Sequence, residues 1–391
     1  MPHTRGLGHT APVPATHHVF LLPGFFGFDH LGDLAYFAHA RGALTDWCRQ
    51  AGIEARFHTV PTRPTASLRH RAADVLVKMD EVLKAEGAKG PVHLVGHSSG
   101  GLDARLVVTP DVNLPDTIPA EPLAARVKTV VTLATPHYGT PVAGFFTSLL
   151  GAQLLGALSL ATSYVLRTGR LPLDVLAKLG AFFVRATAAG GQGGFSDGLR
   201  RLHDRILGDI GPDRRGALQS FAELIARDQD LLPQITPAAI DVFNAATQDR
   251  PGVRYGCVVT QARGAGLRSF LSAGLSPYAH ASHALYVCIG QLAARVPADR
   301  TPPLSMEQWV ALKSAFGTYP GRRSNDGIVP TLSQVWGQVI SGNWGDHLDV
   351  IGHFHHPTHV PPHFDWLTSG SGFSRPDFVR TWNAVAAFMF S

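Results

Sequence analysis

The sequence is short of cysteine, of charge and of any run of like charge, and each shortage closes off a class of protein. Its three cysteines, Cys48, Cys257 and Cys288, form no C-x-x-C pair and no even set. That leaves no disulfide framework and suits a reduced compartment or a fold that needs no bridge. Charged residues make up 16% of the 391 against 45% hydrophobic, a balance that disordered chains do not have. The net charge is +5, but the basic residues are scattered in pieces such as "RRLHDR" and "PDRRG", interleaved with Asp. Without a basic stripe there is no footprint for nucleic acid. The amino-terminal "MPHTRGLGHTAPVPATHH" lacks a charged region followed by an apolar one, so no secretory signal is read there and the cytoplasm is favoured over export.

At 391 residues the chain exceeds the roughly 250–300 at which a single core stops growing, so one large domain with an insertion, or two domains, is expected. Residues 1–16, rich in Pro, His, Gly and Thr, are expected to be disordered. From there short apolar runs alternate with helical periodicity. "HVFLLPG" reads as a strand, "LAYFAHARGALTDWCRQAG" as a helix stopped by Gly52, and "IEARFHTV" as a strand. "ASLRHRAADVLVKMDEVLKAEG" reads as a helix with Leu68, Ala72, Val75, Met79 and Val82 on one face. Strand "PVHLV", helix 99–108 and strand "VKTVVTLAT" follow. Strands separated by helices imply βαβ units and a largely parallel sheet. Residues 141–246 hold no convincing strand and read as a helical insertion containing the flexible "AAGGQGG". Alternation resumes at "VRYGCVVTQ", with helices near 277–295 and 306–316, the second opening on a capping box from Ser305 to Gln308. The expectation is an α/β domain over 17–391, interrupted at 141–246.

Within this frame "GHSSGG", residues 96–101, stands directly behind "PVHLV" and opens a helix. G-x-S-x-G is a weak pattern in a chain with 41 glycines; behind a strand and ahead of a helix it describes a nucleophile elbow. A sharp strand-to-helix turn holds Ser98 in a strained backbone, and side chains at Gly96 or Gly100 would collide with neighbouring backbone. The helix amino terminus behind Ser98 offers N–H groups and a positive dipole end to a developing oxyanion. His97 reads as a packing residue. A serine hydroxyl needs a base, and the base an orienting acid. "SNDGIVP" puts Asp326 in an Asn-Asp-Gly turn before a strand-like piece, and "GDHLDVIG" puts His347 shortly after the apolar "GQVI". Both can lie at the carboxyl edge of the sheet with Ser98. Rivals remain among the 20 histidines and in Asp346 and Asp349, although Asp349 is close to His347 in the chain.

The segments "HVFLLPGFFGF", "VHLVGHSSGGLDAR", "VVTLATPHYGT", "NDGIVP" and "HLDVIG", in this order, resemble the true lipases of the α/β-hydrolase fold, bacterial triacylglycerol lipases in particular. The resemblance runs from residue 18 to residue 352 and is loose over the insertion. It implies an α/β-hydrolase fold, with a mostly parallel central sheet and a helical lid or cap at 141–246. It implies Ser98 as nucleophile, His347 as base and Asp326 as acid, with the backbone N–H groups of Phe25 and Ser99 as the oxyanion hole. Pro23 stands where many of these lipases carry His before the glycine, so the contacts of that His are lost. The expected activity is hydrolysis of hydrophobic or lipid esters through an acyl-enzyme, with a lipid or oil interface as partner. Acyl transfer on the same elbow and a non-enzymatic lipid-binding role are the alternatives.

No cofactor is expected. "GHFHHPTHVPPHFDW" holds five histidines within residues 353–363, followed by Asp365, which invites a metal. Pro357, Pro361 and Pro362 preclude a regular helix and its H-x-x-x-H face, so a solvated rim loop is expected instead. Some lipases of the resembled family bind structural calcium through an Asp two residues past the catalytic His, the position of Asp349. A partner sought before Asp326 finds only Glu307, which argues against calcium. Residues 142–166, "VAGFFTSLLGAQLLGALSLATSYVL", carry no charge and have the length of a bilayer span. They interrupt a sheet whose later strands must rejoin the earlier ones, so no span is expected. Gly144, Ser148, Gly151, Ser159 and Thr162 form a small or polar stripe on an otherwise apolar helix, which reads as a lid or a buried structural helix.

Overall fold

The structure, a computed structural model, describes residues 15–25, 30–31, 34–115, 118–188, 196–208, 216, 228–264, 266–272, 274 and 276–391. Residues 1–14 of the stretch expected to be disordered, and 189–194 of "AAGGQGG", lie outside the described residues.

Six strands form the central sheet: β1 (His17–Leu22), β2 (Ala55–Thr59), β3 (Val92–His97), β4 (Val127–Leu133), β5 (Arg254–Gln261) and β6 (Gln338–Trp344). Their order is β2-β1-β3-β4-β5-β6, and every neighbouring pair is parallel. Runs such as Val19–Leu22 and Val130, Val131 and Leu133 are fully buried, as strands covered on both faces require. Helices α1 (Ala38–Ala51), α2 (Leu68–Ala85) and α3 (Ser99–Val108) flank the sheet, α3 lying between α2 and strands β1, β3 and β4. The carboxyl-terminal helix α7 (Arg375–Phe390) packs on α1 and on β4, β5 and β6. This is the α/β-hydrolase architecture. Gly52 ends α1 in the left-handed conformation at φ 66°, and helix α6 (Met306–Phe316) opens on the complete Ser305–Gln308 capping box.

Two elements depart from the reading of the sequence. The apolar stretch is two helices, α4 (Pro141–Phe146) and α5 (Leu149–Thr168). The Ser148 hydroxyl caps α5 by accepting from the Gly151 N–H, and a side chain at Gly151 would run into the carbonyl of Phe145. The small residues at 148 and 151 therefore make a corner. Among the described residues, no helix is long and apolar enough to cross a membrane. After Asp326 comes a turn and a 3-10 helix, Thr331–Gln334, rather than a strand. The Asn325 side chain accepts from the Gly327 N–H, and Gly327 turns the chain at φ 97°.

Beneath the site, α2 and α3 are pinned by a fully buried ion pair. Arg71 Nη2 lies 2.8 Å from Asp103 Oδ2, and the same guanidinium donates to the carbonyls of Arg63, Pro64, Pro23 and Gly24. Desolvation pushes the Asp103 carboxyl up to about 6 even beside Arg71. Removing one partner of such a pair leaves the other charge buried and uncompensated. In Arg71→Met, urea unfolding at pH 8 is expected to show a loss of about 3–5 kcal/mol. The bare carboxyl then titrates above its unfolded value. Its neutral form is tolerated at low pH, and stability falls as pH rises through the folded pKa. The loss is therefore expected to be smaller at pH 5 than at pH 8; an equal loss at both would contradict this account.

Candidate active site

Ser98 stands between the end of β3 and the start of α3 at φ 54° and ψ −129°, a conformation that costs a residue with a side chain about 1–3 kcal/mol. Its neighbours must be bare. A Cβ at Gly96 would sit on the carbonyl of Gly100, and one at Gly100 on the carbonyl of Leu22. One at Gly24 would lie 2.7 Å from Ser98 Cβ, so the turn after β1 rests directly on the serine. The Ser98 N–H donates to the Leu133 carbonyl across 2.8 Å, which ties the elbow to the end of β4.

The structure brings Ser98, His347 and Asp326 together. His347 Nε2 lies 3.0 Å from Ser98 Oγ, and Nδ1 lies 2.9 Å from Asp326 Oδ2. A carboxylate accepts only, so Nδ1 carries the proton and Nε2 is left to accept the serine O–H. The Asp326 carboxylate is completely buried. It also accepts from Thr260 Oγ1, Gln334 Nε2 and the N–H groups of Ile328 and Val329, so the acid cannot swing away from the imidazole. The rival acids are engaged elsewhere. Asp346 Oδ1 accepts from the N–H groups of Leu348 and Asp349, and Asp349 Oδ2 accepts from Asp346 N–H and Ser371 Oγ.

His97 does more than pack. Its Nε2 donates to the carbonyl of His347 across 2.8 Å, and its Nδ1 accepts from the Tyr36 hydroxyl across 2.7 Å. Tyr36 accepts in turn from the Gly24 N–H. Complete burial holds His97 neutral, well below the usual imidazole range. This chain of bonds joins the turn after β1 to the backbone of His347, and with Arg71 it steadies Pro23 and Gly24. Nothing in the sequence marks Tyr36 as a partner of His97.

Phe25 and Ser99, the expected oxyanion pair, line the same cavity as Ser98 and His347. Ser99 is the first residue of α3, where the N–H has no acceptor within the helix. The cavity holds about 100 Å³. Its apolar wall comes from Val142 and Phe146 of α4 and from Leu155 and Leu158 of α5, with Ser159 and Thr162 beside them. The small or polar stripe of the insertion thus ends facing Ser98.

A cation at Asp349, which the sequence argues against, would nonetheless find oxygen atoms around it. Asp346, Asp349 and Asp365 each bring a carboxylate oxygen within 4.8 Å of the others. Asp346 Oδ2 and Asp365 Oδ1 are buried without a hydrogen-bond partner, and the nearby Trp366 Nε1 falls short of bonding geometry. Desolvation lifts all three carboxyls, Asp346 to about 7. An all-oxygen set suits a hard cation, which would brace the loop presenting His347. These three carboxylates flank and follow His347, whereas the sequence places a possible partner before Asp326. Glu307, the partner sought from the sequence, is exposed in the first turn of α6.

The sequence matches a triacylglycerol lipase of Pseudomonas fragi at 27% identity over 186 residues, covering 45% of this chain and 57% of that lipase. The match thus spans little more than half the length of that relative. Similar solved structures include the lipase of Staphylococcus hyicus, 16% identical with a TM-score of 0.48 over 98% of this chain and 97% of that one. Lipase 1 from Pelosinus fermentans is 16% identical, with a TM-score of 0.48 over 96% and 99%. EstA from Clostridium botulinum is 16% identical, with a TM-score of 0.48 over 97% and 89%. No protein-family model matches the chain. By sequence, the chain is similar to a bacterial lipase.

Tyr36→Phe removes the acceptor of the Gly24 N–H and the donor to His97 in one step. A buried polar group left without its partner costs about 1–3 kcal/mol, and the unfolding midpoint in urea is expected to fall accordingly. An unchanged midpoint would mean that this chain of bonds is not made.

Proposed function

We propose that the chain hydrolyses carboxylic esters of hydrophobic, lipid-like acids by a serine mechanism. The observation that carries this reading is the continuous hydrogen-bonded path from Ser98 Oγ through His347 to Asp326, opening on an apolar cavity. Ser98 Oγ attacks the ester carbonyl carbon while His347 Nε2 takes the hydroxyl proton. The carbonyl oxygen, now negative, is held by the N–H groups of Phe25 and Ser99. The tetrahedral intermediate collapses, the C–O bond to the alcohol breaks, and His347 returns the proton to the departing oxygen. Water repeats the sequence on the acyl-enzyme and frees the acid. Asp326 keeps the imidazole in the required tautomer and stabilises its cation.

The lipid-like substrate is supported by the apolar cavity wall and by the likeness to a triacylglycerol lipase. Helices α4 and α5 act in this reading as a lid, because their side chains wall the cavity above Ser98. Opening such a lid in water exposes apolar surface at about 25 cal/mol per Å², so an oil or detergent surface that covers it favours the open form.

An ester series of rising acyl length tests class and substrate together. Wild-type hydrolysis is expected to favour the longer esters and to rise above their solubility limit. Ser98→Ala is expected to retain only the roughly 10³–10⁴-fold advantage over water that binding and oxyanion stabilisation give. Leu158→Asp, on the cavity face of α5, is expected to blunt the rise on emulsified ester more than it slows a soluble short one. Full turnover in Ser98→Ala would overturn the mechanism, and smooth saturation through the solubility limit would return α5 to a structural role.

A further inference from the structure

Of the histidines after His347, His355 is exposed as a solvated rim loop requires, His356 and His359 are half-buried, and His353 and His363 are buried. Residues 353–363 fold back on themselves, with His356 and His363 exchanging backbone hydrogen bonds of 3.1 Å in both directions. The return brings His359 and His363 against His39 in the first turn of α1. Gly352, at φ 111°, permits this approach, since a Cβ there would lie 2.7 Å from His39 Cβ. One ring nitrogen from each of His39, His359 and His363 lies within 4.8 Å of the other two. The proline-rich loop carries no helical H-x-x-x-H face, as its sequence requires; the missing ligand comes from a helix more than 300 residues earlier in the chain.

In two of the three rings one nitrogen is held by backbone. His363 Nδ1 lies 2.7 Å from the Gly352 carbonyl and His359 Nδ1 2.9 Å from the Pro361 carbonyl. A carbonyl only accepts, so each of these nitrogens carries the proton and the other nitrogen of each ring keeps its lone pair. Metal-bound imidazoles are oriented in this way. Among the described residues no salt bridge joins a carboxylate to any of the three rings.

We propose that His39, His359 and His363 bind one divalent transition-metal ion, with zinc favoured by the all-imidazole ligand set. A tetrahedral zinc with bonds of about 2.0–2.1 Å keeps its ligand atoms about 3.3 Å apart, inside the 4.8 Å that bounds these nitrogens. The rings of His39 and His363 are stacked at 3.6 Å with 16° between their planes, and one of them turns out of the stack to aim both lone pairs at the ion. Water takes the fourth position. The ion ties α1, which follows the Tyr36 link to His97, to the loop that follows His347. This site is independent of ester hydrolysis, and its test reads metal binding alone.

Zn²⁺ is titrated calorimetrically into chelator-stripped full-length protein, with thermal unfolding followed in parallel. The expected result is one ion per chain and a rise in Tm. His359→Ala, and the gentler His359→Gln, should weaken binding about tenfold or more and remove the rise while leaving the metal-free Tm in place. His355→Ala, exposed in the same loop, and Asp349→Asn, in the carboxylate group, should bind as wild type does. No stoichiometric binding by the wild type would overturn the proposal. So would binding that survives both His359 variants, or binding lost equally in His355→Ala or Asp349→Asn.

Discussion

The centre of this protein depends on how closely three stretches of backbone approach one another where β3 turns into α3. The turn after β1 and the elbow at Gly96–Gly101 meet without side chains between them, because Gly24, Gly96 and Gly100 present none, and the Ser98 N–H ties the elbow to the Leu133 carbonyl at the end of β4. That contact lets Ser98 take a positive φ, puts the amino end of α3 behind its hydroxyl, and brings Phe25 to the same cavity. The strain at one residue, about 1–3 kcal/mol, is held by the parallel registers of β1, β3 and β4. A methyl group at Gly96 would press on the backbone of Gly100 and Gly101, and one at Gly100 on the end of β1, before either altered any chemistry.

Around this contact the polar groups are buried and shared. Arg71 reaches Asp103 and four carbonyls, Asp326 accepts from five donors, and His97 spans from Tyr36 to His347. Each bond adds little on balance, but each partner removed leaves a buried group unsatisfied. The site is consequently rigid in the parts that must keep their geometry. The apolar wall from α4 and α5 has no comparable polar ties to Ser98, His347 or Asp326 among the described residues.

The alternation of strands and helices was legible because burial on both faces of a parallel sheet writes continuous apolar runs, and Gly52 and the Ser305–Gln308 box marked helix ends. That Ser98, Asp326 and His347 would meet was legible because a motif in its strand-to-helix setting and a chain order narrow the choice. What lay beyond reach was contact through space. No periodicity links Tyr36 to His97, Asp365 to Asp346, or His39 to a loop that begins at His353. The break at Ser148 was written in the sequence as a capping serine, but the apolar run on either side outweighed it. Nor does spacing show how a loop folds back, so nothing in the sequence brings Asp346 and Asp365 to Asp349.

The measurement that bears most directly on the central claim is the intact mass of the protein after reaction with a fluorophosphonate, followed by peptide mapping. The account predicts one adduct per chain, on the peptide containing Ser98, and its loss in His347→Ala, because the hydroxyl is activated only through that imidazole. An unreactive wild-type protein, or an adduct mapped to any other residue, would contradict it.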